Sequence, residues 1–66
     1  MTVKVNGESV TCKENDTMKD LIAALDLEGK VMAAAVNMNI VKQDVWDKHQ
    51  LKSDDVVELL DFVGGG

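Results

Sequence analysis

Few groups in this chain can do chemistry, and the most unusual of them stand at its end, where Gly64, Gly65 and Gly66 follow directly on the apolar run "VVELLDFV". A glycine carboxylate sits on an unhindered carbon, and a segment without Cβ atoms can enter a passage too narrow for any other sequence. A free carboxylate is inert until it is activated, for example as a mixed anhydride with a nucleotide. A sulfur or nitrogen nucleophile can then take over the acyl group. The terminal glycine is therefore a candidate reagent rather than a catalyst. The competing reading is a frayed end without function, since chain termini commonly fray.

The remaining reactive residues do not assemble into a catalytic set. Cys12 and His49 are the sole cysteine and histidine, and nothing in the sequence links them. Cys12 shares a strand face with Val10, so it is expected to be a buried core thiol rather than a nucleophile. His49 reads as a surface or partly packed residue. One cysteine and one histidine fall short of a zinc site, and Asp54, Asp55 and Asp61 lack the spacing of a calcium loop. "VNGESV" has one glycine and no helix after it, unlike a phosphate-binding loop. Trp46 is expected to anchor a core or an edge. No metal and no bound cofactor are expected.

Composition narrows the classes further. At 66 residues, the chain buries only about 60% of its unfolded surface on folding, too little for a deep substrate cavity. The longest apolar run, "VMAAAV", is far shorter than the roughly 20 residues of a membrane span. Twelve acidic against seven basic residues give a net charge of −5, which argues against nucleic acid as a partner and implies that any charge-steered partner is basic. The surplus carboxylates are read chiefly as keeping the protein soluble. The opening "MTVKVNG" has no basic-then-apolar leader, and a lone cysteine fits a reducing compartment. A cytoplasmic monomer is expected.

The reactive end must be held by a fold, and hydrophobic spacing predicts one. Met1, Val3 and Val5 alternate with polar residues as a strand, Asn6-Gly7 offers a tight hairpin turn, and "SVTCK" returns as a second strand. At "ENDTMKDLIAALDL" the period changes to that of a helix, capped by Asp16 or Thr17, with Met18, Leu21, Ile22 and Leu25 in one stripe. Gly29 is expected to mark its exit, with Leu27 packing back. "VMAAAV" reads as a well-covered strand, "NMN" as a turn, and Ile40-Val41 as a short return strand. Val45, Trp46 and Leu51 are expected to anchor a short turn or 3₁₀ segment. The last strand spans Val56 to Val63, with Val57, Leu59, Asp61 and Val63 on one face. Because neither of its faces is purely apolar, it suits the middle of a sheet, beside the first strand. The order implies an α+β fold, one mixed sheet of four to five strands packed on one main helix. Residues 1–63 form the domain and 64–66 a flexible tail.

These residues also carry a resemblance. The Asn-Gly hairpin, the helix, "AVNMNIVKQDVWDKHQL", "DDVVELLDFV" and the final "GGG" together resemble the ThiS family of sulfur carriers, ubiquitin-like β-grasp proteins of thiamin (thiazole) biosynthesis. The resemblance spans essentially the whole chain. It implies that Gly66 is adenylated by a ThiF-type, E1-like enzyme using ATP and magnesium, then converted to a thiocarboxylate with sulfur from a cysteine desulfurase relay. The sulfur would be delivered to the thiazole synthase ThiG. Gly65 and Gly66 would thread into the partners, with Gly64 adding reach. The same resemblance implies docking through the open sheet face and the apolar residues near the tail, which makes Phe62 and Val63, with Leu60 or Leu59, the candidates; Phe62 could equally be core. Alternatives left open are a MoaD-like carrier for molybdopterin synthesis and a ubiquitin-like modifier or binding module. In this sequence nothing follows the glycines, so no protease is expected to be needed to expose them.

Overall fold

The computed structural model describes residues 1–61. Strand β1 (Thr2–Val5) and strand β2 (Glu8–Thr11) form the first hairpin, followed by helix α1 (Met18–Ala24), strand β3 (Val31–Val36) and strand β4 (Asn39–Val41). A 3₁₀ turn at Gln43–Val45 leads to strand β5 (Val56–Asp61). The sheet order is β2-β1-β5-β3-β4. The last strand is thus the central one, parallel to β1 and antiparallel to β3.

Both hairpins turn on two residues whose backbone is left-handed: Asn6 (φ 50°) and Gly7 (φ 87°) in the first, Asn37 (φ 51°) and Met38 (φ 73°) in the second. Positive φ at both central positions is the type I′ geometry whose twist matches that of the flanking strands. Asparagine tolerates this region well. Met38 occupies a place better suited to glycine and is 89% exposed.

One face of the sheet carries the helix. Val3, Val5, Val57, Leu59, Ala34, Val36 and Val41 are buried there against Met18, Leu21 and Ile22 in a single core. The expected stripe is therefore present, although Leu25 lies at the helix end and is only half-buried. Thr17, not Asp16, is the N-cap, and it forms a full capping box with Asp20. The Thr17 amide donates to Asp20 Oδ2 at 2.9 Å, and the Asp20 amide donates to Thr17 Oγ1 at 3.2 Å. Asp16 instead accepts from the Lys13 amide at 3.0 Å.

The remaining first-turn amides are met from a distance. The Met18 and Lys19 N–H groups donate to the carbonyls of His49 and Trp46 at 2.9 and 3.0 Å. The segment between β4 and β5 is thereby strapped to the helix N-terminus, where unpaired donors need acceptors. Trp46 and Leu51 anchor this segment in the core, as expected. Val45 does not, because the 3₁₀ turn points it outward at 40% exposure.

The helix exit also differs from expectation. It ends at Leu25, and Asp26 (φ 61°), not Gly29, takes the left-handed position that closes it. The Leu27 amide bonds to the Ile22 carbonyl and the Asp26 amide to Ala23, both at 3.0 Å, the double closure of a Schellman motif. Leu27 packs back on the core as expected. Gly29 (φ 75°) serves the next turn, ahead of β3.

Candidate functional site

The candidate reagent, Gly66, follows the central strand by five residues. Phe62, Val63, Gly64, Gly65 and Gly66 lie outside the described residues, and the site is built here from the strand that leads to them.

Strand alternation separates the two leucines that were both candidates for docking. Leu59 is 8% exposed and points into the core with Val57, so it is a packing residue and offers no surface. Leu60 is 50% exposed and lies on the opposite, helix-free face. The register places it beside Ala33 of β3, and places Glu58 beside Ala35, which in turn pairs with Ile40 of β4. Facing partners share one side of a sheet. Leu60 therefore shares this open face with exposed Val56 and Ile40, while the small, half-buried Ala33 and Ala35 lower the surface between β5 and β4. Sequence alternation already groups Val56, Glu58 and Leu60; Ile40 joins them only through the register of the second hairpin.

Two asparagines hold β5 from either side, and sequence reasoning saw them only as turn residues. Asn37 accepts from the Val56 amide through Oδ1 at 3.0 Å, and its own amide donates to the Val56 carbonyl at 2.7 Å. Its Nδ2 also donates to Asp55 Oδ1 at 3.0 Å, while Asp55 Oδ2 accepts from the Lys52 amide at 2.8 Å. These bonds satisfy Asp55, the buried acidic residue at the start of the strand. Asn6 does the corresponding work further along. Its Oδ1 accepts from the Leu59 amide at 2.9 Å and its Nδ2 donates to the Leu59 carbonyl at 3.3 Å. A Val-Asn pair opening each two-residue turn is the one sequence signal that both share.

Cys12 is buried at the end of the first hairpin, and its backbone ties down the N-terminus: its carbonyl accepts from the Met1 amino group at 2.8 Å. Burial pushes the thiol above its ordinary value and nearby Asp16 adds to this, against a smaller opposing effect of the N-terminal charge. A protonated core thiol is a poor nucleophile. His49 is half-buried and contributes its carbonyl to the helix cap. Among the described residues, no group of three His, Cys, Asp or Glu side chains is placed to hold a metal ion. No helix among them is long and apolar enough to cross a membrane.

A five-stranded mixed sheet over one helix, with the central strand leading into a glycine end, agrees with comparison to known proteins. The model of the ThiS family matches residues 3–66. The chain belongs to the ThiS family. The sulfur carrier protein ThiS of Bacillus subtilis is 34% identical over 65 residues, spanning 97% of this chain and 98% of that protein. The crystal structure of the thiamine biosynthesis protein ThiS from Geobacter metallireducens superimposes with a TM-score of 0.81 at 30% identity, covering 100% of both chains. The fold is thus the ThiS β-grasp. A thiazole synthase of Magnetococcus marinus is 27% identical over 66 residues, which are 100% of this chain and 20% of that protein.

Proposed function

We propose that Gly66 carries the sulfur: its carboxylate is activated as an acyl-adenylate and then becomes a thiocarboxylate. The protein is a ThiS sulfur carrier of thiamin biosynthesis, and the observation that carries this reading is a family match that runs through Gly66 on a shared fold. In the first step a carboxylate oxygen attacks the α-phosphorus of ATP and pyrophosphate leaves. In the second, the outer sulfur of a relay persulfide attacks the acyl carbon and AMP leaves; a thiol then attacks the other sulfur of the acyl disulfide so formed, releasing the thiocarboxylate and leaving a new disulfide behind. Magnesium and ATP belong to the activating enzyme, a ThiF-type adenylyltransferase, and a cysteine desulfurase relay supplies the sulfur. The carrier is then a co-substrate, spent and recharged, and the residues it contributes are those that present its end.

Thiazole synthase is the proposed recipient. Support comes from the Magnetococcus marinus thiazole synthase, in which a stretch similar to this whole chain forms part of the same polypeptide. Docking is assigned to the open sheet face around Leu60, together with Phe62 and Val63. Gly64 and Gly65 provide the narrow approach, since only glycine lets another backbone or a nucleotide come so close.

The test is intact-protein mass spectrometry after incubation with the activating enzyme, ATP, magnesium and a sulfur source. The expected product is heavier by the difference between sulfur and oxygen, and removing Gly66 abolishes it while leaving the fold unchanged. If neither this species nor an acyl-adenylate forms, the proposal fails. Capture by thiazole synthase, set against capture by the large subunit of molybdopterin synthase, separates the recipient pathways. Isopeptide adducts on lysines of other proteins would mark a modifier instead.

A further inference from the structure

Among the described residues, the non-glycine positions with a left-handed backbone are Asn6, Asn15, Asp26, Asn37, Met38 and Asp54. All but Met38 are asparagine or aspartate, whose short polar side chains tolerate that region. Met38 (φ 73°) is the exception, at the second position of the β3–β4 turn, where a type I′ turn favours glycine. Packing does not offset this strain. Met38 is 89% exposed and Ile40 72%, the highest values among the large apolar side chains of the described residues. One hairpin thus holds two apolar side chains out to solvent, one of them on a strained backbone. Strain of this kind is concentrated at functional and ligand-holding sites.

The turn is also fixed in place. The Asn37 amide donates to the Val56 carbonyl at 2.7 Å and Asn37 Oδ1 accepts from the Val56 amide at 3.0 Å, while Asn39 Nδ2 donates to the Asn37 carbonyl at 3.3 Å. A tip braced on both sides of Met38 loses little freedom on binding. Its place on the sheet sets what it can reach. Val36 pairs with Val57 near the start of β5, and Val31 with Asp61 at its end. With six residues in β5, the tip stands about 17 Å from the end of that strand. Through Ile40, which pairs with Ala35, the tip continues the open face of Val56 and Leu60.

We infer that the β3–β4 tip is a second anchor on the activating enzyme: Met38, with Ile40 of the same hairpin, enters an apolar pocket of that enzyme at the end of the open face remote from Asp61. This rests on the sulfur-carrier reading and extends its docking surface. An acyl-adenylate hydrolyses readily, so the enzyme that forms it must keep hold of the carrier until sulfur arrives. The reacting end changes its bonds in that interval, and a hold remote from it is undisturbed. An unbranched, polarizable methionine side chain suits such a pocket.

Met38→Gly is the decisive variant, because glycine removes the apolar side chain and relieves the left-handed backbone. Met38→Leu is its companion, keeping both the apolar bulk and the strain. Both are full-length carriers, assayed with the activating enzyme, ATP and magnesium by exchange of labelled pyrophosphate into ATP, with the carrier concentration varied. Met38→Gly is expected to leave the urea midpoint of the carrier unchanged or higher. It is nevertheless expected to raise KM for the carrier, and Kd for the enzyme in calorimetry, by about tenfold or more, with kcat unchanged. Met38→Leu is expected to stay close to wild type in KM and Kd. Unchanged KM and Kd in Met38→Gly overturn the inference; weaker capture by thiazole synthase alone would do so too, by placing the tip on the recipient. An equal rise in Met38→Leu also overturns it, because the apolar side chain would then not be what the enzyme reads. Absence of pyrophosphate exchange with the wild-type chain would sink the sulfur-carrier reading itself, and the anchor with it.

Discussion

The indole N–H of Trp46 donates to the carbonyl of Val41 at 2.8 Å, across the point where β4 gives way to the 3₁₀ turn. The Trp46 carbonyl meanwhile accepts from the Lys19 amide at the helix N-terminus. One residue therefore joins the edge strand to the helix through both its side chain and its backbone. Trp46→Phe keeps the backbone bond and most of the apolar bulk but removes the indole's buried hydrogen bond to the Val41 carbonyl, so it should cost about 0.5–1.5 kcal/mol. Urea denaturation followed by circular dichroism measures this; a loss below a few tenths of a kcal/mol would show that water replaces the indole.

The two leucines of β5 should respond in opposite ways to truncation. Leu59→Ala opens a cavity in the core and is expected to cost about 2–5 kcal/mol. Leu60→Ala, on the open face, should change stability by no more than about 0.5 kcal/mol. Under the proposed docking, Leu60→Glu weakens capture by the activating enzyme or by thiazole synthase without unfolding the domain. Denaturation midpoints and pull-down yields on the same preparations separate the two effects. Full capture of Leu60→Glu would remove Leu60 from the docking surface.

Acid sensitivity should report on the capping box. Hydrogen bonds from the Thr17 backbone and side chain hold the Asp20 carboxyl below its ordinary value of 3.8. A carboxyl depressed on folding stabilises the protein above its unfolded value, and that contribution disappears as pH falls through the folded one. Wild type should therefore lose stability on acidification from about pH 4 downward more steeply than Asp20→Asn. Thr17→Ala, which removes the capping oxygen, should cost about 1 kcal/mol at neutral pH. Chemical denaturation at a series of pH values tests both. Parallel curves for wild type and Asp20→Asn would show that the carboxylate is not engaged in solution.

The Cys12 thiol should be slow to react. Native protein treated with a thiol-specific disulfide reagent is expected to label far more slowly than the same protein in denaturant. Because the thiol is raised by burial, the folded state holds its proton more firmly than the unfolded chain. Its contribution is complete below the unfolded value and is lost as pH rises through the folded one, so alkaline pH should destabilise wild type more than Cys12→Ala. Rapid native labelling would contradict a buried thiol.

Much of this fold is legible in the sequence because local patterns and tertiary demands agree. Asn6-Gly7, the stripe of Met18, Leu21 and Ile22, and the run from Val31 to Val36 each announce an element, and each is found. The mixed faces of the last strand pointed to a central position, and β5 lies between β1 and β3. The departures share one cause: several residues can satisfy the same local rule, and tertiary contacts choose among them. Asp26 and Gly29 both suit a left-handed exit, and the packing of Leu27 on the core favours the earlier one. Thr17 and Asp16 both suit a cap, and the reciprocal bond with Asp20 decides for Thr17. Alternation places Leu59 and Leu60 on opposite faces, but only the covering helix tells which face is outer. The bonds from Asn6 to Leu59 and from Asn37 to Val56 were beyond reach for another reason: they join residues that only the sheet order brings together.

The Asn6-Gly7 step also bears on the chemical ageing of the chain. With no Cβ on the following residue, the glycine nitrogen can readily attack the asparagine carboxamide, closing a succinimide with loss of ammonia; water then opens it to aspartate or isoaspartate. In the folded protein that carboxamide is held by the Leu59 N–H and carbonyl, which restrains it from turning onto its own backbone. The bonds that steady the last strand thus also shelter the amide most prone to decay. Each passage through the unfolded state exposes it, so the wear on this carrier should track time spent unfolded rather than time elapsed.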